Sequence, residues 1–253
     1  MSSSFKRVPA IDKCLQILEA LYQSREPLGV SDLLRQLDLN KSTVFNIVHT
    51  LADLEILEKF PSGKFHFGNR LYLLGNAAGK RSELIHTVHP FLAKINAETK
   101  LSAFLGIRSG LQAVILDKVD TAYDIRISSD VGMRLPLIAG AGGKALLSQL
   151  TDEDIDQILS RNGLRSFTNR TCTDKAKFKK RILETRRSGI ASDLEEYIEG
   201  IVAYAVPITT NRPDLVAAIW AVGLRQQVDA DKETTIRDHL LQVADEVNQR
   251  FSP

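Results

Sequence analysis

Cysteine is nearly absent. Cys14 and Cys172 are the only two among 253 residues, and neither has a His or Cys neighbour at metal-ligand spacing. That excludes a disulfide framework and a sequence-local zinc site, and it fits a reducing cytoplasm. No run reaches the ~18 apolar residues of a membrane span, and the start from Met1 to Val8 lacks the apolar segment of a secretory signal. A surplus of one charge sign is missing too. Residues 1–80 hold 10 Lys/Arg against 8 Asp/Glu and the rest hold 23 against 23, for a net +2. So small a basic excess does not by itself point to nucleic acid, and pattern has to carry the argument. What remains is an ordinary globular composition, 43% hydrophobic and 25% charged, without low-complexity tracts and long enough for two domains.

From Ala10 to Ser24 the apolar residues Ile11, Cys14, Leu15, Leu18, Leu21 and Tyr22 recur at spacings of three and four, which predicts an amphipathic helix with these residues inward. Pro27, Leu28 and Gly29 end it, and Ser31 offers an N-cap, with Asp32 as first-turn acid, for a second helix to about Leu37. After a short turn at Asp38 and Leu39, Asn40 caps a third helix to about Leu54, whose expected buried stripe is Val44, Ile47, Val48, Leu51 and Leu54. Two short helices joined by a tight turn form a helix-turn-helix.

The other side of the third helix carries Ser42, Phe45, Asn46 and His49, with Lys41 and Thr43 in its first turn. Asn pairs bidentately with adenine, an exposed Phe touches a thymine methyl, and Lys41, Ser42 and Thr43 suit phosphate at a helix N-terminus. A merely solvated helix face would look similar. Two β-prone runs follow, Ile56 to Lys59 and Lys64 to Phe67, around a Phe60-Pro61-Ser62-Gly63 turn. A hairpin after such a helix is a wing, and it brings Lys64 and His66 toward the DNA backbone.

Residues 27–59 and 63–75, and above all Leu39-Asn40-Lys41-Ser42-Thr43-Val44, resemble the isocitrate lyase regulator (IclR) family. The resemblance implies DNA binding. The family commonly carries His-Arg where this chain has Phe45-Asn46, so a different operator sequence is expected.

Arg70 to Lys80 reads as a linker helix with Leu71, Leu74 and Ala78 on one side. It leads into a helix over Arg81 to Thr99 with Leu84, Val88, Phe91, Leu92 and Ile95 as core and His86 and His89 as surface residues. Strands are expected at 101–107, 111–119, 123–129, 190–193, 201–208 and 215–224. Helices are expected at 142–150, at 152–160 behind Thr151, at 174–188 between a Thr173 cap and Gly189, and at 230–251. Segregated helices and strands make this second part α+β. The expected division is a winged helix-turn-helix at 1–69, linker and first effector-domain helices at 70–99, and an effector domain at 100–253.

Residues 136–145, Pro-Leu-Ile-Ala-Gly-Ala-Gly-Gly-Lys-Ala, invite a nucleotide reading. A phosphate loop would need Gly at Ile138 and Ser or Thr at Ala145, and the dinucleotide spacing of Gly140, Gly142 and Ala145 lacks a βαβ setting. A small-residue loop opening a helix remains, its free N–H groups suited to a ligand, or its small side chains to close packing. This region and residues 186–208 also resemble the same family, whose effector domain is GAF-like. The resemblance places Ile127, Ala141, Gly142, Asp193, Ile201, Ala203, Trp220 and Val222 around a ligand. Relatives that hold small carboxylates tend to have Cys at Ala203 and Ser at Trp220 and Val222. Their replacement here implies a more apolar or aromatic organic acid, with Asp193 or the loop amides fixing its polar end.

The expected function is a ligand-responsive transcriptional regulator of a catabolic operon. Its expected partners are double-stranded operator DNA, a small-molecule effector and a second copy of itself, with dimers of dimers allowed by the resemblance, and neither cofactor nor membrane. The rival readings are a nucleotide- or small-molecule-processing enzyme using the 138–145 loop, and a winged-helix protein-interaction module. The acidic run Asp193, Glu195, Glu196 and Glu199 reads as solvated surface.

Overall fold

The computed structural model describes residues 6–251 apart from 25, 81, 122–126, 128, 162, 211 and 213, and it leaves the side chains of 78–80 undescribed. Contacts divide the chain into two units, Met1–Ser82 and Glu83–Pro253.

The first unit holds α1 (Pro9–Gln23), α2 (Val30–Gln36), α3 (Lys41–Asp53), β1 (Leu57–Lys59), β2 (Phe65–Phe67) and α4 (Asn69–Lys80). Its core gathers Ile17 and Leu21 from α1, Leu33 from α2, Val44 and Val48 from α3, and Leu57 and Phe65 from the hairpin. Val44 and Val48 are fully buried, and each stabilises the unit by about 1.5–3 kcal/mol. Asn40 caps α3, its Oδ1 accepting from the Thr43 N–H at 2.8 Å. The start of α2 departs from the Ser31 expectation: helix begins at Val30, and the Asp32 carboxylate accepts the Gly29 N–H at 2.9 Å. An Asp three residues into a helix reaches back to the cap as well as a Ser reaches forward. The α1 stripe is also only partly inward. Leu21 is buried, but Ile11, Leu15 and Tyr22 are exposed, as is Leu54 beyond α3. Periodicity identifies an apolar face without saying what covers it.

The second unit begins with α5 (Glu83–Thr99) and continues through β3 (Ser102–Ser109), β4 (Gln112–Val119), β5 (Arg134–Pro136), α6 (Gly140–Leu147), α7 (Asp152–Arg161), α8 (Lys175–Ser188), β6 (Ala191–Leu194), β7 (Ile201–Ile208), β8 (Ala217–Leu224) and α9 (Ala230–Phe251). The strands form one antiparallel sheet in the order β5-β4-β3-β8-β7-β6. Alternate residues go to opposite faces. Ala103, Leu105, Val202, Tyr204, Val206, Ile219 and Ala221 pack under α5 and α9, whereas Phe104, Ala203, Ala205, Ala218 and Trp220 pack under α6, α7 and α8. Covering both faces explains why β7 and β8 read as unbroken apolar runs.

β5 was not expected, being a three-residue edge strand ending in Pro136. The strand expected over 123–129 falls mainly on residues outside those described. α8 is capped by Asp174, which accepts the Lys177 N–H at 2.9 Å, rather than by Thr173. His89 is exposed, as the spacing predicts, and its Nδ1 lies 2.7 Å from Asp117 Oδ2 on β4.

Candidate functional site

In the first unit, α3 presents one polar face. Lys41, Ser42, Phe45 and Asn46 are exposed, while Val44, Val48 and Leu51 hold the opposite side in the core. His49 is half-buried, its ring centroid 4.2 Å from that of Phe45 and 5.5 Å, edge-on, from that of Phe65. The Phe45 ring is therefore propped outward by His49, which is itself braced on the hairpin. Ser42 donates to Asn40 Oδ1 at 3.0 Å, so its hydroxyl is partly engaged in capping. Thr43 is half-buried, Lys64 is exposed and His66 is half-buried on β2. The hairpin is held to the helices by mutual backbone hydrogen bonds between Leu28 and Phe65, at 3.1 and 2.8 Å.

In the second unit, strand register builds a cavity wall. Asp193, Ala203 and Val222 stand in one row across β6, β7 and β8, and Ala205, Trp220 and Phe104 in a row two residues along. Both rows face α6. The structure brings Ile127, Ala141, Gly142 and Asp193 together with Ile201, Ala203, Trp220 and Val222 around one cavity of about 150 Å³. Phe104, Met133, Leu135, Tyr197 and Ile198 join them. Met133, Leu135, Tyr197 and Ile198 belong to an edge segment and a loop without periodic signal, and Phe104, on the interior strand β3, is marked as lining only by its register with Trp220.

Trp220, only 3% exposed, stacks near Phe104 at 6.2 Å between centroids and is wedged between two glycines. A Cβ on Gly106 would lie 2.1 Å from the indole Cη2, and one on Gly142 would lie 3.1 Å from Cε3. Gly106 sits where the β3–β4 register shifts, a bulge that a glycine suits. The small residues of the loop thus serve close packing, as does Gly143, whose Cβ would lie 2.1 Å from the Leu137 carbonyl oxygen. Gly106→Ala should destabilise the second unit by about 1–3 kcal/mol or more through overpacking. In a Trp220→Ala background the same change should cost at least about 1 kcal/mol less, since the two residues touch. Urea melts of the four proteins in this cycle check it; strictly additive losses would contradict the contact.

Lys144 does not point at the loop as a phosphate-binding lysine would. Its side chain is 3% exposed and its Nζ lies 2.9 Å from Glu196 Oε1, while Arg181 Nη1 lies 2.9 Å from Glu196 Oε2. Of the acidic run only Glu199 is solvated surface; Asp193 is buried, and Glu195 and Glu196 are half-buried. Glu195 pairs with Arg170 at 2.7 Å, and the Glu196 carbonyl accepts the Thr171 hydroxyl at 2.6 Å. Asp193 is 4% exposed and its Oδ1 accepts the Glu196 N–H at 2.6 Å. Burial pushes the Asp193 carboxyl up to about 6, against the opposing pull of the Glu196 N–H and Lys144. Among the described residues no group of three or more His, Cys, Asp or Glu converges as a metal ion would require.

Comparison with known proteins places this geometry. Residues 10–61 match the IclR helix-turn-helix domain, and residues 76–249 match the family of bacterial transcriptional regulator IclR C-terminal domains. The transcriptional repressor IclR of Escherichia coli is 26% identical over 248 residues, covering 97% of this chain and 90% of that one. The crystal structure of an IclR transcriptional regulator from Alicyclobacillus acidocaldarius superposes with a TM-score of 0.88 at 21% identity, covering 98% and 100% of the two chains. An IclR homologue from Microbacterium hydrocarbonoxydans, crystallised with 4-hydroxybenzoate, superposes with a TM-score of 0.80 at 21% identity over 95% of this chain and 99% of that one.

Proposed function

This chain belongs to the IclR family of bacterial transcriptional regulators, and we propose that it reads its operator by laying α3 in the major groove, with Ser42, Phe45, Asn46 and His49 at the base edges. Lys41 and Thr43 hold phosphate at the helix start, and Lys64 and His66 hold it from the hairpin. The observation that carries this is the division of α3 into an inward face of Val44, Val48 and Leu51 and an outward face of groups able to read bases. As a regulator it acts through binding, not turnover, and a DNA target supports a cytoplasmic location. Among the described residues no helix is long and apolar enough to cross a membrane.

The protein acts as a homodimer. Support comes from α1 and its N-cap, where Val8, Ile11, Leu15 and Tyr22 are 52, 67, 55 and 46% exposed. With Leu18 they follow the alternating spacing of three and four that marks a two-helix seam. Tyr72, Leu73 and Leu74 on α4 add exposed apolar surface to the same unit. Two copies would read two half-sites separated by about one helical turn or a multiple of it.

The cavity beside Trp220 holds the effector, a compound built on one aromatic ring. An apolar cavity of about 150 Å³ holds a single benzene ring, and the bound 4-hydroxybenzoate of the Microbacterium relative is of that size class. Ligand binding shifts the population of DNA-binding conformers through the segment 70–99, and the regulated genes serve catabolism of the ligand.

Selection of duplexes from a random pool, followed by anisotropy titration between 50 and 200 mM salt, tests this. A two-half-site sequence should emerge, with affinity falling steeply with salt as counterions are released. Single-ring aromatic ligands should change that affinity, and the mass of the complex should distinguish a dimer from a dimer of dimers. Sequence-indifferent binding would sink the operator reading.

A further inference from the structure

We propose that the pocket selects, at Asp193, a ring bearing a neutral hydrogen-bond donor, a phenolic hydroxyl or ring amine, and rejects a carboxylate at that point. This rests on the cavity being the effector site and names the chemistry it accepts there.

Among the described residues Asp193 is the one charged side chain lining the cavity, and no Lys, Arg or His joins it. The rest of the wall is apolar apart from Ser129 and Tyr197. A carboxylate entering this space would meet no cation among the described residues. The cations near by are spent elsewhere: Lys144 on α6 and Arg181 on α8 both turn to Glu196, at 2.9 Å each.

The Asp193 carboxylate accepts from the backbone of the following loop and turns its second oxygen to the cavity. Its Oδ1 is filled by the Glu196 N–H at 2.6 Å. Its Oδ2 lies 3.4 Å from where a Cβ on Gly140 would stand, at the lining of the cavity. An ionised carboxylate only accepts hydrogen bonds. A donor on the ring would therefore form a charge-assisted bond with Oδ2, shorter and stronger than a neutral one. A second carboxylate in the same place would face like charge in an apolar surrounding, where repulsion is poorly screened. The ring stacks or packs beside Trp220 and Phe104 in either case, so the Asp193 end decides between ligands.

The groups facing Asp193 set how this varies with pH. They are Lys144 from α6, Glu196 and the Tyr197 N–H from the following loop, and behind Glu196 the Arg181 guanidinium; the β7 neighbour in register is the uncharged Ala203. The Asp193 carboxyl is held up to about 6 by burial. A carboxylate placed against Asp193 requires it protonated. Benzoate should thus bind better as pH falls through about 6 and lose about tenfold per unit above it. Phenol pairs with the ionised form, so its binding should be flat from about 6 to 8 and weaken below, since a phenol stays neutral until about pH 10.

Trp220 is the sole tryptophan and lines the cavity, so its fluorescence reports occupancy in the full chain. Phenol, benzoate and toluene should be titrated at pH 5.5 and 7.5 into the protein and into Asp193→Asn. The expected result at pH 7.5 is phenol at least tenfold tighter than benzoate, opposite pH trends for the two, and loss of both trends in Asp193→Asn. Benzoate binding as tightly as phenol at pH 7.5, with the same pH profile, would overturn the inference while leaving the aromatic site standing. The wild-type pH arms decide this even where the variant fails to fold. If phenol, benzoate and toluene all leave the indole signal unchanged, the aromatic reading falls and this inference with it.

Discussion

Asn46→Ala should lower affinity for the selected operator duplex by between about 30-fold and about four orders of magnitude. A bidentate side-chain contact to a base is worth about 1–3 kcal/mol. A symmetric dimer loses it twice, about 2–6 kcal/mol in all, and each 1.4 kcal/mol is about tenfold. Asn46 is exposed on α3 and touches none of the core, so the thermal melt should shift little. The contrast is Lys64→Ala on the hairpin, which should weaken all sequences alike and reduce the salt slope by about one per protomer. Anisotropy titrations on matched and mismatched duplexes measure both. An Asn46→Ala protein that keeps wild-type affinity and sequence preference would show that another face of the molecule reads DNA.

Glu196→Ala should cost the second unit about 3–5 kcal/mol, the penalty of stranding a buried charge. Lys144 is 3% exposed and Glu196 15% exposed, and Glu196 also receives Arg181. Removing the carboxylate leaves the buried ammonium without its ion-pair partner, with only the Asp193 carboxyl near by, because α6 is fixed by the packing of Gly143 on Leu137. Replacing the pair together, as Lys144→Met with Glu196→Leu, should recover most of the loss, since an apolar pair of similar volume is often no less stable than a buried ion pair. Circular-dichroism melts resolve this readily: for a domain of this size 1 kcal/mol moves the midpoint by about 2–4 °C. A double variant no more stable than Glu196→Ala alone would mean that the loop of residues 195–200, not the Lys144 charge, carries the effect.

Both expectations concern residues that sequence reasoning treated very differently. The α3 face could be proposed from spacing alone, because a helix of 3.6 residues per turn separates Val44, Val48 and Leu51 from Ser42, Phe45 and Asn46 wherever it lies. Glu196 was passed over as surface, because its two cation partners stand 52 and 15 residues back, and no local pattern announces them. Caps show the same contrast on a smaller scale. Asn40 was legible since its oxygen serves the N–H three residues on, while Ser31 and Thr173 lost to Asp32 and Asp174, neighbours with equal capping chemistry. Leu54, Ile11 and Leu15 were assigned inward by periodicity and are exposed.

By itself the sequence determined most of the elements: β7 at 201–208 and α9 at 230–251 fall where their apolar patterns place them, and the helix-turn-helix and hairpin follow from caps and turns. It also determined the family, through motifs that the comparisons match along the chain. Only the tertiary structure decided that Asp193, Ala203 and Val222 form a row, that an indole needs Gly106 and Gly142 on either side, and that Asp193 and Glu196 turn inward from an acidic run. The reason is that local preference acts over a few residues, whereas strand register and side-chain packing join positions tens of residues apart. The energies that select among those pairings appear once the sheet and its covering helices are assembled.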